Sequence, residues 1–277
     1  MKQNFRRAYH EALCRKTLFI DKHGVPSNAD KNNSASTFFA GQIVASIGVP
    51  VRTTYISLRI AQEHFELITS RYVEDAFKSL NHLRPGKWLF YTVKDRTEVE
   101  ENRQLDNLEC ILATNRKLRT MLADHNIVKP DIIIARVPVE DEEINQKQRI
   151  VDDNIATHTQ LRKKNSSKPI RHASISCNWI IHSGLSKGVR TETLNLIGNR
   201  KGHLPHIVAV TAEPLPIRIA TLALGIGDID CVYHFALHEL KSAVEKSNNQ
   251  DQLEMLMTMI EGHRLRDISD LPFDLAT

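Results

Sequence analysis

Asp131 follows Pro130 and opens the apolar run IIIARV, which sets a carboxylate at the head of a buried strand, near the end of a sheet. In ASISCNWIIH, residues 173–182, Ser174, Ser176 and Asn178 fall two apart and share one face of a strand, while Ile175, Cys177 and Trp179 share the other. Glu192 belongs to RTETLNLIGNRKG, which reads as a helix ending at Gly202, and Glu66 stands beside the apolar Phe65 in an amphipathic pattern. Taken singly, each carboxylate has an ordinary reading: a turn aspartate, a glutamate suited to a helix dipole, and a solvated surface glutamate. Taken together, carboxylates from a strand head and two helices, converging on a polar strand face, can hold Mg²⁺ beside a phosphodiester. There a metal positions a water, polarises the phosphate and stabilises the leaving oxygen.

Residues 58–83 carry Phe65, Ile68, Tyr72, Ala76 and Leu80 at spacings of three or four, which predicts a helix that stops at the breaker RPG. Further helical patterns cover about 105–124, a more polar stretch at about 141–163, about 236–247, and QLEMLMTMIEG. KWLFYTVK, DIIIARVPV, HASISCNWII, HIVAVTAEP and DCVYHFAL read as strands, and VPSNADKNNSAST, residues 25–37, as a loop. Strands alternate with helices, so the expected class is α/β with a mixed central β-sheet flanked by helices, as one domain over 1–277.

A chain of 277 residues with 41% hydrophobic and 25% charged residues can bury a core without staples. The apolar runs are too short to span a bilayer, and no signal-peptide pattern follows the N-terminus; the expectation is a cytoplasmic protein with no membrane partner. The four scattered cysteines predict free buried thiols, and a net charge of +4 permits an anionic partner without demanding one. LRKKNSSK (161–168) and NRKGH (199–203) could follow phosphates or be solvated charge. His234 and His238, four apart, would share a helical face, but with no third ligand a pair of core histidines outweighs a zinc site.

GVPSNAD, HFELITSRYVEDAFKSLNHLRPGKW, KPDIIIARVPVEDEEIN, VDDNIAT, HASISCNW, TLNLIGNRKGHLPHIVAVTAEPLP, GDIDCVYHFAL and RLRDISDLPFDLA run in order along nearly the whole chain. On these stretches it resembles the NgoMIV-type tetrameric type II restriction endonucleases, a branch of the PD-(D/E)xK nucleases. The resemblance implies Mg²⁺-dependent cleavage, with Mn²⁺ as substitute, of a palindromic GC-rich duplex with a CCGG core. It implies a homotetramer built as a dimer of dimers, and functional pairing with a DNA methyltransferase. It places metal ligands at Asp131, Glu192 and the Cys177 backbone carbonyl, an assisting carboxylate at Glu66, and Ser176 where the wider superfamily has its strand carboxylate. Asp30 and Arg218 fall on positions used for the outer base pairs, and Arg59 where a glutamine enters the minor groove.

Two departures stand out. The family reads Ser-Cys-Lys where this chain has Ser176-Cys177-Asn178, so the active-site row lacks its cation; loss of one stabilising donor costs about 10²–10³ in rate. The family's Arg-Ser-Asp-Arg, which reads the central base pairs, is replaced by His182-Ser183-Gly184-Leu185. Each bidentate pairing with a base that this replacement removes takes away about 1–3 kcal/mol of discrimination. Two functions follow: a restriction endonuclease with altered central specificity, or a catalytically silent DNA-binding or assembly protein on the same scaffold.

Overall fold

The computed structural model describes residues 4–92, 130–181, 188, 189, 191, 193, 194, 196, 197, 203–225 and 227–277. Among them a six-stranded sheet runs in the order β1 (Trp88–Thr92), β2 (Ile132–Arg136), β3 (Ile170–Asn178), β4 (His206–Thr211), β5 (Cys231–His234), β6 (Leu265–Asp267). β1, β2 and β3 pair antiparallel, while β3 to β6 pair parallel, so the sheet is mixed as expected. β2 is apolar almost throughout because it is buried on both faces. Ile132 and Ile134 enter the main core, and Ile133 and Ala135 pack with Tyr91 and Leu89 on the other side.

Helices cover this sheet: α1 (Phe5–Lys16), α2 (Ser34–Ile47), α3 (Leu58–Ser79), α4 (Asp141–Ile144), α5 (Pro216–Ala223), α6 (Leu237–Lys246), α7 (Gln250–Glu261) and α8 (Leu271–Asp274). Caps set their starts. Asn4, Asn33 and Ser57 accept hydrogen bonds from Arg7, Ser36 and Ile60 N–H, and Gly48, left-handed at φ 65°, ends α2. α3 buries Phe65, Ile68, Tyr72 and Ala76, the stripe its periodicity predicts; enclosing Phe65 alone contributes about 2–3 kcal/mol.

Three expectations need correction. The tract 25–37 is not loop throughout, because Asn33 caps α2 and Ser27 and Asn28 are buried. The pattern at 141–163 forms a helix only over Asp141–Ile144; the rest winds around buried Arg162, which binds the Asp141 carboxylate and the Ile155 and Ala156 carbonyls. Lys163 and Lys164 in the neighbouring basic stretch are ion-paired to Glu140 and Asp153. The expected helix at 105–124 lies outside the described residues, whereas the sequence reading holds no helix for α1, α2 or α8 and no strand for β6. Cys14, Cys177 and Cys231 are free and buried.

One buried ion cluster ties the chain's two ends. Arg6 of α1 pairs with Glu239 at 2.6 Å and with Asp267 at 2.8 Å. Burial alone would raise the Asp267 carboxyl, but Arg6 and Ser269 outweigh it and hold its pKa at about 2. A depressed carboxylate stabilises the fold above its unfolded pKa, so about 2 kcal/mol present at neutral pH is lost as pH falls from about 4 to 2. Arg6→Ala should destabilise the protein by about 3 kcal/mol, read by denaturant unfolding, and should flatten that acid dependence.

Candidate active site

β3 outruns its antiparallel neighbour. β2 begins at Ile132, opposite Ile175, so the backbone groups of β3 beyond that point have no strand partner on this side. Side chains take over. Asp131 donates its N–H to the Ile175 carbonyl at 3.1 Å and accepts the Cys177 N–H on Oδ2 at 2.7 Å. Gln62, from the second turn of α3, donates Nε2 to the Cys177 carbonyl at 2.6 Å and accepts the Trp179 N–H on Oε1 at 2.8 Å. The same Nε2 reaches Glu66 Oε1, one turn along α3, at 2.8 Å. Phe65, between them, stacks edge-on against Trp179 with ring centroids 5.4 Å apart, which fixes the helix on the strand.

Asp131, Glu66 and Cys177 are therefore brought together. Burial pushes the Cys177 thiol well above its usual pKa and the two carboxylates push it further, so the thiol is no nucleophile and only its peptide is available to chemistry. Glu66 Oε1 and the Cys177 carbonyl converge on a single donor, Gln62 Nε2, as two oxygens must to share a cation. An all-oxygen set of two carboxylates and a carbonyl suits Mg²⁺ or Mn²⁺. Among the described residues no three His, Cys, Asp or Glu side chains gather as a metal cage, so the set needs a further ligand or water. Glu192, His182 and Ser183 lie outside the described residues; the described positions from 188 to 197 are helical, with Val189 and Leu196 buried.

The polar row is enclosed. Ser174, Ser176 and Asn178 are all buried, and Asn178 Nδ2 finds no hydrogen-bond partner among the described residues. The Asn178 carbonyl is held from the other side by the Ala212 N–H and the Thr211 hydroxyl. The zinc alternative is excluded for the histidine pair. His234 is buried in β5, with Nδ1 accepting the Ala236 N–H and Nε2 on the Glu213 carbonyl, and His238 is exposed on α6. Burial lowers His234 to about 4, keeping it neutral.

Past the end of β3 opens a cleft of about 840 Å³, lined by Ile180, Ile181, Tyr55, Leu58, Asp30 and Arg218. Asp30 and Arg218 form an ion pair across it, and Asp30 Oδ1 also accepts the Asn32 N–H, the Asx-turn that its sequence suggests. Arg59 is not in this arrangement: it projects into solvent beside Glu63, its i+4 neighbour, at 3.0 Å.

Two residues escaped the sequence reading. Gln62 had one signal, a polar residue one turn before Glu66 and next to the buried Ala61. Glu213 had another, a glutamate between Ala212 and Pro214 directly after a buried strand. Its carboxylate is fully enclosed; burial raises its pKa, and the Ile181 and Leu215 N–H groups that it accepts oppose the rise.

The profile of the NgoMIV restriction enzyme family matches residues 9–277. The type II restriction enzyme NgoMIV of Neisseria gonorrhoeae is 42% identical over 277 residues, covering 98% of this chain and 97% of that protein. The crystal structure of the type IIF restriction endonuclease Bse634I with cognate DNA aligns over 93% of this chain and 92% of that one, at 13% identity and a TM-score of 0.35. A strand head, an α3 face and an overrunning strand end that assemble one oxygen-lined corner thus occur in a sequence matched almost throughout, and the chain belongs to the NgoMIV family of type II restriction enzymes.

Proposed function

We propose that this chain hydrolyses phosphodiester bonds of double-stranded DNA at a defined palindromic, GC-rich site, with a CCGG core altered by His182-Ser183-Gly184-Leu185. It would do so with Mg²⁺, or Mn²⁺ in its place, as a homotetramer paired in function with a DNA methyltransferase. The observation that carries the reading is the corner where Asp131, Glu66 and the Cys177 peptide meet. Asp131 and Glu66, with the Cys177 carbonyl and Glu192, would hold the metal, which when bound supplies Lewis-acid stabilisation of the phosphate charge. Ser176 and Asn178 line the position of the attacking water and the scissile phosphate. The water oxygen bonds to phosphorus and gives up a proton to solvent, the bond from phosphorus to the sugar oxygen breaks, and that oxygen takes up a proton from solvent. Gln62 keeps Glu66 and the strand end in register. Among the described residues no helix is long and apolar enough to cross a membrane, and the proposed location is the cytoplasm.

One observation favours a second reading. Asn178 puts a neutral amide, unpartnered among the described residues, where the family has its lysine; a silent DNA-binding protein would bind duplex and metal without cutting. Incubating a mixed-sequence plasmid library with the protein in Mg²⁺ and in Mn²⁺ separates the two. Cuts at one defined site support the enzyme; salt-dependent duplex binding with no cuts supports the silent protein, and neither binding nor cutting removes both.

Gln62 offers a separate check. Gln62→Leu removes both the donor shared by Glu66 and Cys177 and the acceptor for Trp179, so Mn²⁺ affinity and cleavage rate should each fall about 10–100-fold, the usual cost of losing an outer-shell partner. DNA affinity should hold. Titration of Mn²⁺ by electron paramagnetic resonance, without DNA, reads the first effect independently of turnover.

A further inference from the structure

Arg218 stands between two carboxylates of unequal freedom. Asp30 comes from the loop before α2 and its side chain is 28% exposed at the cleft. Glu213 is 1% exposed and fixed on both oxygens: Oε2 accepts the Ile181 N–H at 2.9 Å and Oε1 the Leu215 N–H at 3.1 Å. Arg218 lays Nη2 on Asp30 Oδ2 and keeps Nη1 3.9 Å from Glu213 Oε2. α5 carries Arg218 and starts at Pro216, directly after the Leu215 that Glu213 caps, so one carboxylate fixes both the start of the helix and the charge facing its arginine.

We propose that Glu213 is the fixed counter-charge that keeps Arg218 aimed into the cleft once Asp30 has let go of it, and so is a specificity-determining positioning residue. The proposal rests on the reading that Asp30 and Arg218 contact bases. On that reading their ion pair must open, because Asp30 accepts from a cytosine amino group only with a free oxygen, and Arg218 reaches a guanine edge with both arms only when released from Asp30. A long side chain freed of its sole partner samples many rotamers, whereas one still facing a rigid buried carboxylate stays oriented. Glu213, already bonded to two backbone N–H groups, gains from Arg218 the opposite charge that an enclosed carboxylate favours. Its bond to Ile181 adds a second consequence: the aim of Arg218 is set from the same carboxylate that holds the backbone leaving β3 toward residue 182.

The experiment is a binding selection, with Ca²⁺ as the cation, from duplexes randomised over the outer as well as the central base pairs, comparing the parent chain with Glu213→Gln and Arg218→Ala. The parent should enrich a symmetric site. Both variants should lose preference at the same symmetric pair of positions, Glu213→Gln by about tenfold, with other positions and the salt dependence of binding unchanged. If Arg218→Ala loses that preference while Glu213→Gln keeps it, the role of Glu213 is overturned and the base contacts stand. If Arg218→Ala keeps it too, or the parent enriches nothing, the base-contact reading falls and takes the proposal with it. A uniform loss at all positions by Glu213→Gln marks a merely structural residue and also overturns the proposal. Should Glu213→Gln not fold, Glu213→Asp, which keeps the charge but withdraws it by one methylene, is read against the same outcomes.

Discussion

Asn178→Lys is expected to raise the cleavage rate by about 10²–10³, the effect of restoring one preorganised donor to the developing phosphate charge. The position is prepared for it. Asn178 is enclosed at the end of β3, its Nδ2 has no partner among the described residues, and its carbonyl is locked to Thr211 and Ala212, so the backbone holds still whatever side chain it bears. A buried ammonium is costly unless paired. The strand residue just before it, Cys177, has its peptide bound to Asp131 and, through Gln62, linked to Glu66, so the strand end beside the new cation already carries two carboxylates. A scissile phosphate would add a third anion. Single-turnover cleavage of a supercoiled plasmid, in Mg²⁺ and in Mn²⁺, reads the change; equal rates for parent and variant would show that the cation is not what this row needs.

The site was legible wherever a local pattern aimed it. Period two set Ser174, Ser176 and Asn178 on one face of β3, helical spacing put Glu66 next to Phe65, and the Pro-Asp pair put Asp131 at a strand head. The alternation of strands and helices likewise gave the mixed α/β class. What escaped depends on how far one strand extends past another. Gln62 matters only because β2 stops at Ile132 while β3 continues to Asn178, leaving Cys177 and Trp179 with unpaired backbone groups. Nothing local in either sequence states that offset. Asp30 and Arg218 meet across 188 residues, and Glu213, the second carboxylate facing Arg218, is hidden for the same reason. The segment 141–163 misled because its helical spacing is real but its strongest attraction, Arg162 to Asp141, bends the chain back upon itself.

Asp131→Asn should carry the largest loss. Asparagine keeps an oxygen able to accept the Cys177 N–H that Asp131 Oδ2 now accepts at 2.7 Å, so the strand ends stay joined and stability should move by less than about 1 kcal/mol. What goes is the negative charge, and with it the proposed anchor for a divalent cation. Metal stabilisation of a phosphoryl transition state is worth several kcal/mol, so cleavage should fall by about 10³ or more, with a matching loss of Mn²⁺ binding in the absence of DNA. The decisive form is the double variant. If the lysine at 178 acts on a phosphate already held by metal, adding Asp131→Asn to Asn178→Lys cancels the gain, and the two effects do not add. A double variant that still cuts faster than the parent would mean that the lysine works without the metal corner, and the gathering of Asp131 and Glu66 about the Cys177 peptide would have to be read as a device for closing the end of β3.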